Sequence, residues 1–336
     1  MSDRILLAHG GGGRLSEELI ATEILPRFAF GGKQGLPDGV TLNVSESQLV
    51  VSTDSFVVNP LFFPGASIGH LAVHGTVNDV SVSGAKVAYL TLALILEEGL
   101  PMDTLREILD DIKKASVQCG VEIVCGDTKV VGKGQCDGAF INTTGIGFKY
   151  PEFDLSTAHV KEGDVVIVNG TLGDHGMAVM AFRNSMPFQN SPKSDSAAVN
   201  ELVDQLRPFN NQIKFMRDPT RGGVASVLNE IVSAQGFGIE LDEEALPFDK
   251  RSRAMSEILG LDLLHSACEG RLLLICSAEI ADEVLSLWRD SEVGSGSEII
   301  GKVCGEKDAG RVTLKTTIGG RRIVDMPHGE LLPRIC

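Results

Sequence analysis

Aromatic residues are scarce in this chain, basic clusters are missing, no apolar run is long, and no two cysteines stand in a C-x-x-C pair. Each shortage removes a class of function. Positive charge gathers only in short pairs such as Lys113-Lys114 and Arg321-Arg322, against a formal net charge of -15. A chain this acidic repels a polyanionic backbone, so no nucleic acid is expected as a partner. Apolar stretches such as Val165 to Val168 and Leu272 to Cys276 fall far short of the roughly 20 residues a membrane helix needs, and no membrane span is expected. The start passes from Asp3 and Arg4 into a glycine run without the long apolar segment of a secretory signal, so the expected location is cytoplasmic. Seven cysteines form an odd set, which argues against both a disulfide framework and a zinc site. Six are expected to be ordinary buried thiols. The seventh, Cys336, is the last residue, where neither core packing nor helix formation explains it.

What is present is a globular composition, 43% hydrophobic and 22% charged over 336 residues, enough for about two domains. The boundary is expected in the aperiodic stretch 149–163, which gives an N-terminal domain 1–150, a C-terminal domain 151–326 and an arm 327–336. Residues 40–58 read as strands leading to a turn at Ser52-Thr53-Asp54. Leu105, Ile108, Leu109, Ile112 and Ala115 recur at helical spacing, with Asp103 as the expected N-cap and Gly120 as the left-handed stop. Val121 to Cys125 then reads as a strand feeding Gly126-Asp127-Thr128. In the second half, strands are expected at 164–169, 271–277, 311–316 and 321–324. Helices are expected at about 16–24, 177–184 and 221–234, and the segment 185–195 reads as a loop.

Several constellations have chemical potential. The run His9-Gly10-Gly11-Gly12-Gly13-Arg14 precedes an expected helix and resembles a phosphate cradle, though alone it reads as a flexible turn and is neither a P-loop nor a G-x-G-x-x-G fingerprint. Asp54, Asp79, Asp127 and Asp218 stand in similar turn-like surroundings. Carboxylates suit Mg²⁺, but aspartate is also a common turn former, and only convergence in space separates the readings. Lys129 suits a phosphate or a solvated surface, Glu269 a base or a turn cap, and His175 reads as structural. At Cys336 the terminal carboxylate disfavours the thiolate. A functional thiol there needs a receiving site, which the ten residues 327–336 reach over up to about 33 Å if extended.

Together these motifs make the chain resemble the HypE family of hydrogenase-maturation carbamoyl dehydratases. That family belongs to the superfamily of aminoimidazole ribonucleotide synthetase, selenophosphate synthetase and thiamine phosphate kinase. The resemblance rests on His9-Gly10 and its glycines, Ser52-Thr53-Asp54-Ser55, Asn78-Asp79-Val80, Ser83-Gly84-Ala85, Gly126-Asp127-Thr128-Lys129, Gly173-Asp174-His175-Gly176, Asp218 to Gly223, and Pro333-Arg334-Ile335-Cys336. It implies an α/β (α+β) two-domain synthetase-like fold. In that fold an N-terminal mixed-sheet domain forms a barrel-like interface in a homodimer, and a C-terminal α/β domain follows. It implies ATP with Mg²⁺, the metal held by Asp54, Asp79, Asp127 and Asp218. The nucleotide would lie on His9, Gly10, Gly11, Gly12, Gly13, Asn78, Thr128 and Arg221. A carbamoyltransferase partner would load Cys336, Glu269 and Lys129 would serve the dehydration to a thiocyanate, and the cyano group would pass to an iron-carrying scaffold. A small-molecule kinase or synthetase of the same superfamily is the competing reading. Metal delivery through Cys336 and His328 offers too few ligands for a closed site.

Overall fold

The computed structural model describes residues 13–19, 21, 40–44, 47–184, 191–233, 235–305 and 308–327. Its first layer is a five-stranded sheet ordered β1-β2-β7-β5-β6. These strands are β1 (Val40–Val44), β2 (Ser47–Phe56), β5 (Ala85–Glu97), β6 (Glu122–Val131) and β7 (Ala139–Lys149). β5 and β6 pair in parallel across the helix α3 (Met102–Cys119), and the other pairs are antiparallel. The short hairpin β3 (Phe62–Phe63) and β4 (Ala66–Ser67) leads into α2 (Ile68–Val82), whose N-cap is Ser67.

α2 lies directly on this sheet because β7 makes room for it. A Cβ at Gly145 would meet Thr76 and Val80 side chains at 2.9 Å, and one at Gly147 would meet Val80 at 2.6 Å. The helix is apolar and small-residued almost all round, as a helix buried on every side must be. α3 is amphipathic and turns Ile108, Ile112, Ala115 and Cys119 inward, and it stops at Gly120 with φ 68°. Pro101 rather than Asp103 takes the N-cap position, which leaves Asp103 in the first turn beside Arg106. Among the described residues nothing covers the opposite face of the sheet, and its five strands close no barrel.

The second layer is a seven-stranded sheet ordered β14-β13-β10-β12-β8-β11-β9. Its strands are β8 (Val165–Val168), β9 (Ile213–Arg217), β10 (Gly238–Asp242), β11 (Leu273–Cys276), β12 (Glu298–Cys304), β13 (Val312–Lys315) and β14 (Arg321–Ile323). Both faces of its centre are packed, which is why β8 and β11 are unbroken apolar runs. Val166, Val168, Leu273 and Ile275 meet Val224, Leu228 and Ile231 of α6 (Gly223–Ser233) on one side. Ile167, Leu272, Leu274 and Cys276 meet Val284, Leu285 and Trp288 of α8 (Ala281–Arg289) on the other. The remaining helices are α1 (Arg14–Leu19), α4 (Asp174–Arg183), α5 (Asn200–Gln205) and α7 (Lys250–Leu259).

Several local expectations shift. α4 begins at Asp174, ahead of the expected start, because Gly173 caps it with φ 76° and places His175 in its first turn. α6 begins only at Gly223, since Gly222 and its neighbour take positive φ values of 75° and 60°. Asp54 and Asp127 lie inside β2 and β6 rather than past strand ends, because pairing continues through them to Thr143 and Ala93. Of the thiols expected to be buried, Cys119, Cys268 and Cys276 are, whereas Cys136 and Cys304 are half-buried and Cys125 is exposed on the edge strand β6. Among the described residues no helix is long and apolar enough to cross a membrane.

Candidate active site

The register of the first sheet divides the four aspartates. Asp54 shares its row with Thr143 and Leu92, the face on which Thr143 Oγ1 bonds Thr76 Oγ1 of α2 at 2.6 Å. Asp127 sits in the row of Ser55, Asn142 and Ala93 on the other, open face. Asp54 therefore looks toward α2, where its carboxyl is hydrogen-bonded to Asp79 and Thr76. Ser52 Oγ holds Asp79 Oδ2 at 2.6 Å from the same face. Burial raises the Asp54 pKa above the ordinary carboxylate value despite the hydrogen bonds and the nearby Arg221.

The C-terminal domain brings the rest of the cluster from two turns. The chain after β9 places Asp218, buried at 5% exposure, and the exposed Arg221. Cys268 N–H donates to Pro219 O at 3.1 Å, which sets Glu269 beside that turn. Glu269 is 5% exposed and its pKa is raised well above the ordinary range, first by burial and then by the charges of Asp195, Asp218 and Asp54, with Arg221 opposing. A carboxylate whose proton affinity is raised by burial holds a proton more strongly than an ordinary one. Asp54, Asp79, Asp218, Arg221 and Glu269 thus converge where the two domains meet.

This donor set consists of carboxylate oxygens, and two of them already share a hydrogen bond, an arrangement that a cation relieves. Among the described residues no group of three or more His, Cys, Asp or Glu is set to hold a metal unaided. Mg²⁺ takes one or two carboxylates and completes its shell with phosphate oxygens and water. Asp54 and Asp79 fit that pair.

Other expected residues go elsewhere. Asp127, Thr128 and Lys129 are exposed on β6, with Lys129 Nζ 3.2 Å from Asp127 Oδ2, and the lysine holds the Asp127 carboxyl below the ordinary range. Within one chain the structure does not bring them to Glu269. Asn78 is buried and its amide is engaged by backbone, donating to Ala197 O at 3.0 Å and accepting from Val199 N–H at 2.9 Å. Gly13 is buried just ahead of α1. His9, Gly10, Gly11, Gly12 and Cys336 lie outside the described residues. His175 is fully buried and bonded through Nδ1 to Ser194 Oγ at 2.8 Å, as a structural histidine is.

One residue that meets Glu269 carries no functional expectation in the sequence. Asp195 lies in the loop read as featureless, and its carboxylate accepts from Glu269 N–H at 3.1 Å and faces Arg271 Nε at 3.3 Å. The one available signal was Gly270, where a Cβ would come within 1.9 Å of Asp195 O.

Comparison with known proteins agrees with this architecture. Residues 37–148 match the family model of the AIR synthase related protein N-terminal domain, and residues 161–313 match that of its C-terminal domain. Carbamoyl dehydratase HypE of Cupriavidus necator is 43% identical over 336 residues, covering 100% of this chain and 95% of that relative. A solved HypE–HypF complex matches with a TM-score of 0.85 at 42% identity, over 94% of this chain and 100% of that one. A HypE structure in complex with ATP matches with a TM-score of 0.82 at 41% identity, over 99% of this chain and 100% of that one. The chain is a mixed α/β two-domain protein that belongs to the HypE family, within the group of AIR synthase related proteins.

Proposed function

We propose that this protein is an ATP-dependent carbamoyl dehydratase that converts an S-carboxamide on Cys336 into a protein thiocyanate, the cyanide source for the iron of a hydrogenase. The observation that carries this reading is the buried Glu269, set among Asp54, Asp218 and Arg221 at the junction of the domains, in a chain related along its length to carbamoyl dehydratases. Oxide is a poor leaving group and phosphate a good one. Transfer of the ATP γ-phosphoryl to the amide oxygen, releasing ADP and one N–H proton to solvent, leaves a phosphorylated imidate with one N–H. Removal of its N–H proton by Glu269 then expels phosphate and forms the C≡N bond. Asp54 and Asp79 would hold Mg²⁺, with Asp218 beside them, and the metal would offset phosphate charge in an acidic site. Arg221 and the glycine run from His9 to Gly13 would contact the nucleotide.

The open face of the first sheet supports a homodimer. Tyr89, Ile95 and Phe148 lie on it at 39%, 38% and 45% exposure, more apolar surface than a sheet face left to water requires. If a second copy covers this face, Asp127 and Lys129 lie at the seam, and Lys129 serves the site of the neighbouring chain rather than its own. The solved HypE–HypF complex supports a maturation partner that meets the protein directly, the carbamoyltransferase in this reading.

Intact mass measurement tests the function. The carbamoylated protein loses one water after ATP is added, and Cys336→Ala neither takes up the carbamoyl group nor supports maturation. A Cys336→Ala protein that phosphorylates a free small molecule at the wild-type rate favours the kinase reading instead.

A further inference from the structure

Residues 191–199 form a strap of irregular backbone that is tied to both domains. From the first domain, Pro64 O accepts Ser194 N–H at 2.7 Å and His74 Nδ1 pairs with Ser196 Oγ at 3.0 Å. From the second, His175 Nδ1 pairs with Ser194 Oγ at 2.8 Å. The strap presses so closely on Gly270 that a Cβ there would also come within 2.6 Å of Ala197 N. No residue but glycine follows Glu269 without moving the strap.

The consequence falls on Glu269, whose peptide groups are gripped from two sides. Its N–H donates to Asp195 Oδ1 at 3.1 Å, and its carbonyl accepts from Asn78 Nδ2 at 3.4 Å. Asp195 belongs to the strap and Asn78 to α2. The Asp195 side chain is wholly enclosed, with Oδ2 3.3 Å from Arg271 Nε, and Arg271 Nε donates to Thr171 O at 2.6 Å. A buried carboxylate is costly unless it is bonded and paired. The fold accepts that cost beside the residue whose aim matters most.

We propose that Asp195 and Asn78 are positioning residues for the dehydration. Together they clamp the Glu269 backbone and so direct its carboxylate at the reacting N–H, and they make that direction depend on how the two domains sit together. The proposal rests on the reading of Glu269 as the base. It assigns Asn78 to Glu269 and the strap instead of to the nucleotide.

The test is single-turnover dehydration of the full-length carbamoylated protein, with ATP affinity measured alongside. Asp195→Ala should bind ATP with wild-type affinity and dehydrate roughly 10²-fold more slowly, the effect of a misplacement of about 1 Å. Asp195→Asn, which keeps the acceptor for Glu269 N–H, should recover most of the rate. Asn78→Ser, which withdraws the reach to the Glu269 carbonyl, carries the same test should Asp195→Ala fail to fold. A wild-type rate in the folded variants overturns the clamp, and so does a rate that falls only in step with ATP affinity. Glu269→Gln is measured beside them. If it is slow while the clamp variants are fast, the clamp alone is wrong, whereas a wild-type rate for Glu269→Gln removes the base and the clamp with it.

Discussion

The two faces of the first sheet carry similar residues in opposite circumstances. On the covered face Asp54 meets Asp79 under α2, and burial raises its pKa. On the open face Asp127 stands in water beside Lys129, which lowers its pKa. Both follow a strand-like run in sequence and both precede a hydroxyl residue. The difference shows that an aspartate motif acquires its chemistry from what covers it. On one face two half-buried carboxyl groups share a hydrogen bond, and on the other a solvated ion pair remains.

The largest expected effect separates the faces by function. Glu269→Gln should slow dehydration roughly 10² to 10⁴-fold, so that the carbamoylated form accumulates. Lys129→Ala, on the open face, should also be inactive alone, yet mixing the two variants as subunits should restore activity. In the mixed dimer one site then carries both changes and the other carries neither. If mixing restores nothing, Lys129 does not act across the seam.

Next in size is the stabilisation by Mg-ATP. At a ligand concentration of about 100 times Kd the wild-type protein gains about 2.7 kcal/mol. Asp79→Asn should lose most of that gain in calorimetry while the ligand-free protein stays folded. Asp127→Asn should keep its ligand-free melting temperature. An undiminished gain in Asp79→Asn would move the metal away from the covered face.

A pH effect follows from the buried histidines. Burial lowers His175 to about 3 and His74 to about 4, below the ordinary imidazole value of 6.5. The unfolded chain therefore takes up protons that the fold refuses, and these groups make stability fall as pH drops below 6.5 toward those folded values. Asp195, raised from 3.8 to about 6, acts in the opposite sense over that window. His175→Asn removes one such proton, so its stability deficit against wild type should narrow by about 1.4 kcal/mol per pH unit of acidification below 6.5 in urea titrations. A deficit that stays constant with pH would show that His175 is protonated in the fold.

The smallest effect returns to packing on the two faces. Gly145→Ala drives a methyl into Thr76 and Val80 and should cost about 1 to 2 kcal/mol. Thr144→Ala, whose hydroxyl bonds Thr53 Oγ1 on the open face, should stay within about 0.5 kcal/mol. Equal costs by thermal unfolding would mean that the open face is as tightly covered as the other.

Much of this protein follows from its sequence alone. Hydrophobic period, Gly120 and the short apolar runs determine α3, β8 and β11, because each depends on neighbours a few residues away. The motifs around Asp54, Asp79, Asp218 and Glu269 were likewise legible as residue types, although the turn-like surroundings expected at Asp54 and Asp79 are a strand and a helix. Only the tertiary structure decided which of the marked residues meet. Sheet register put Asp127 and Lys129 on the face away from Asp54, and a change of one position along β6 would have reversed that. Packing of α2 between the domains turned Asn78 from an expected nucleotide contact into a tie on Glu269. Asp195 carried no local signal because its partners, Glu269 N–H and Arg271, lie more than seventy residues away in sequence, and a carboxylate's role is set by the groups that surround it once water is gone.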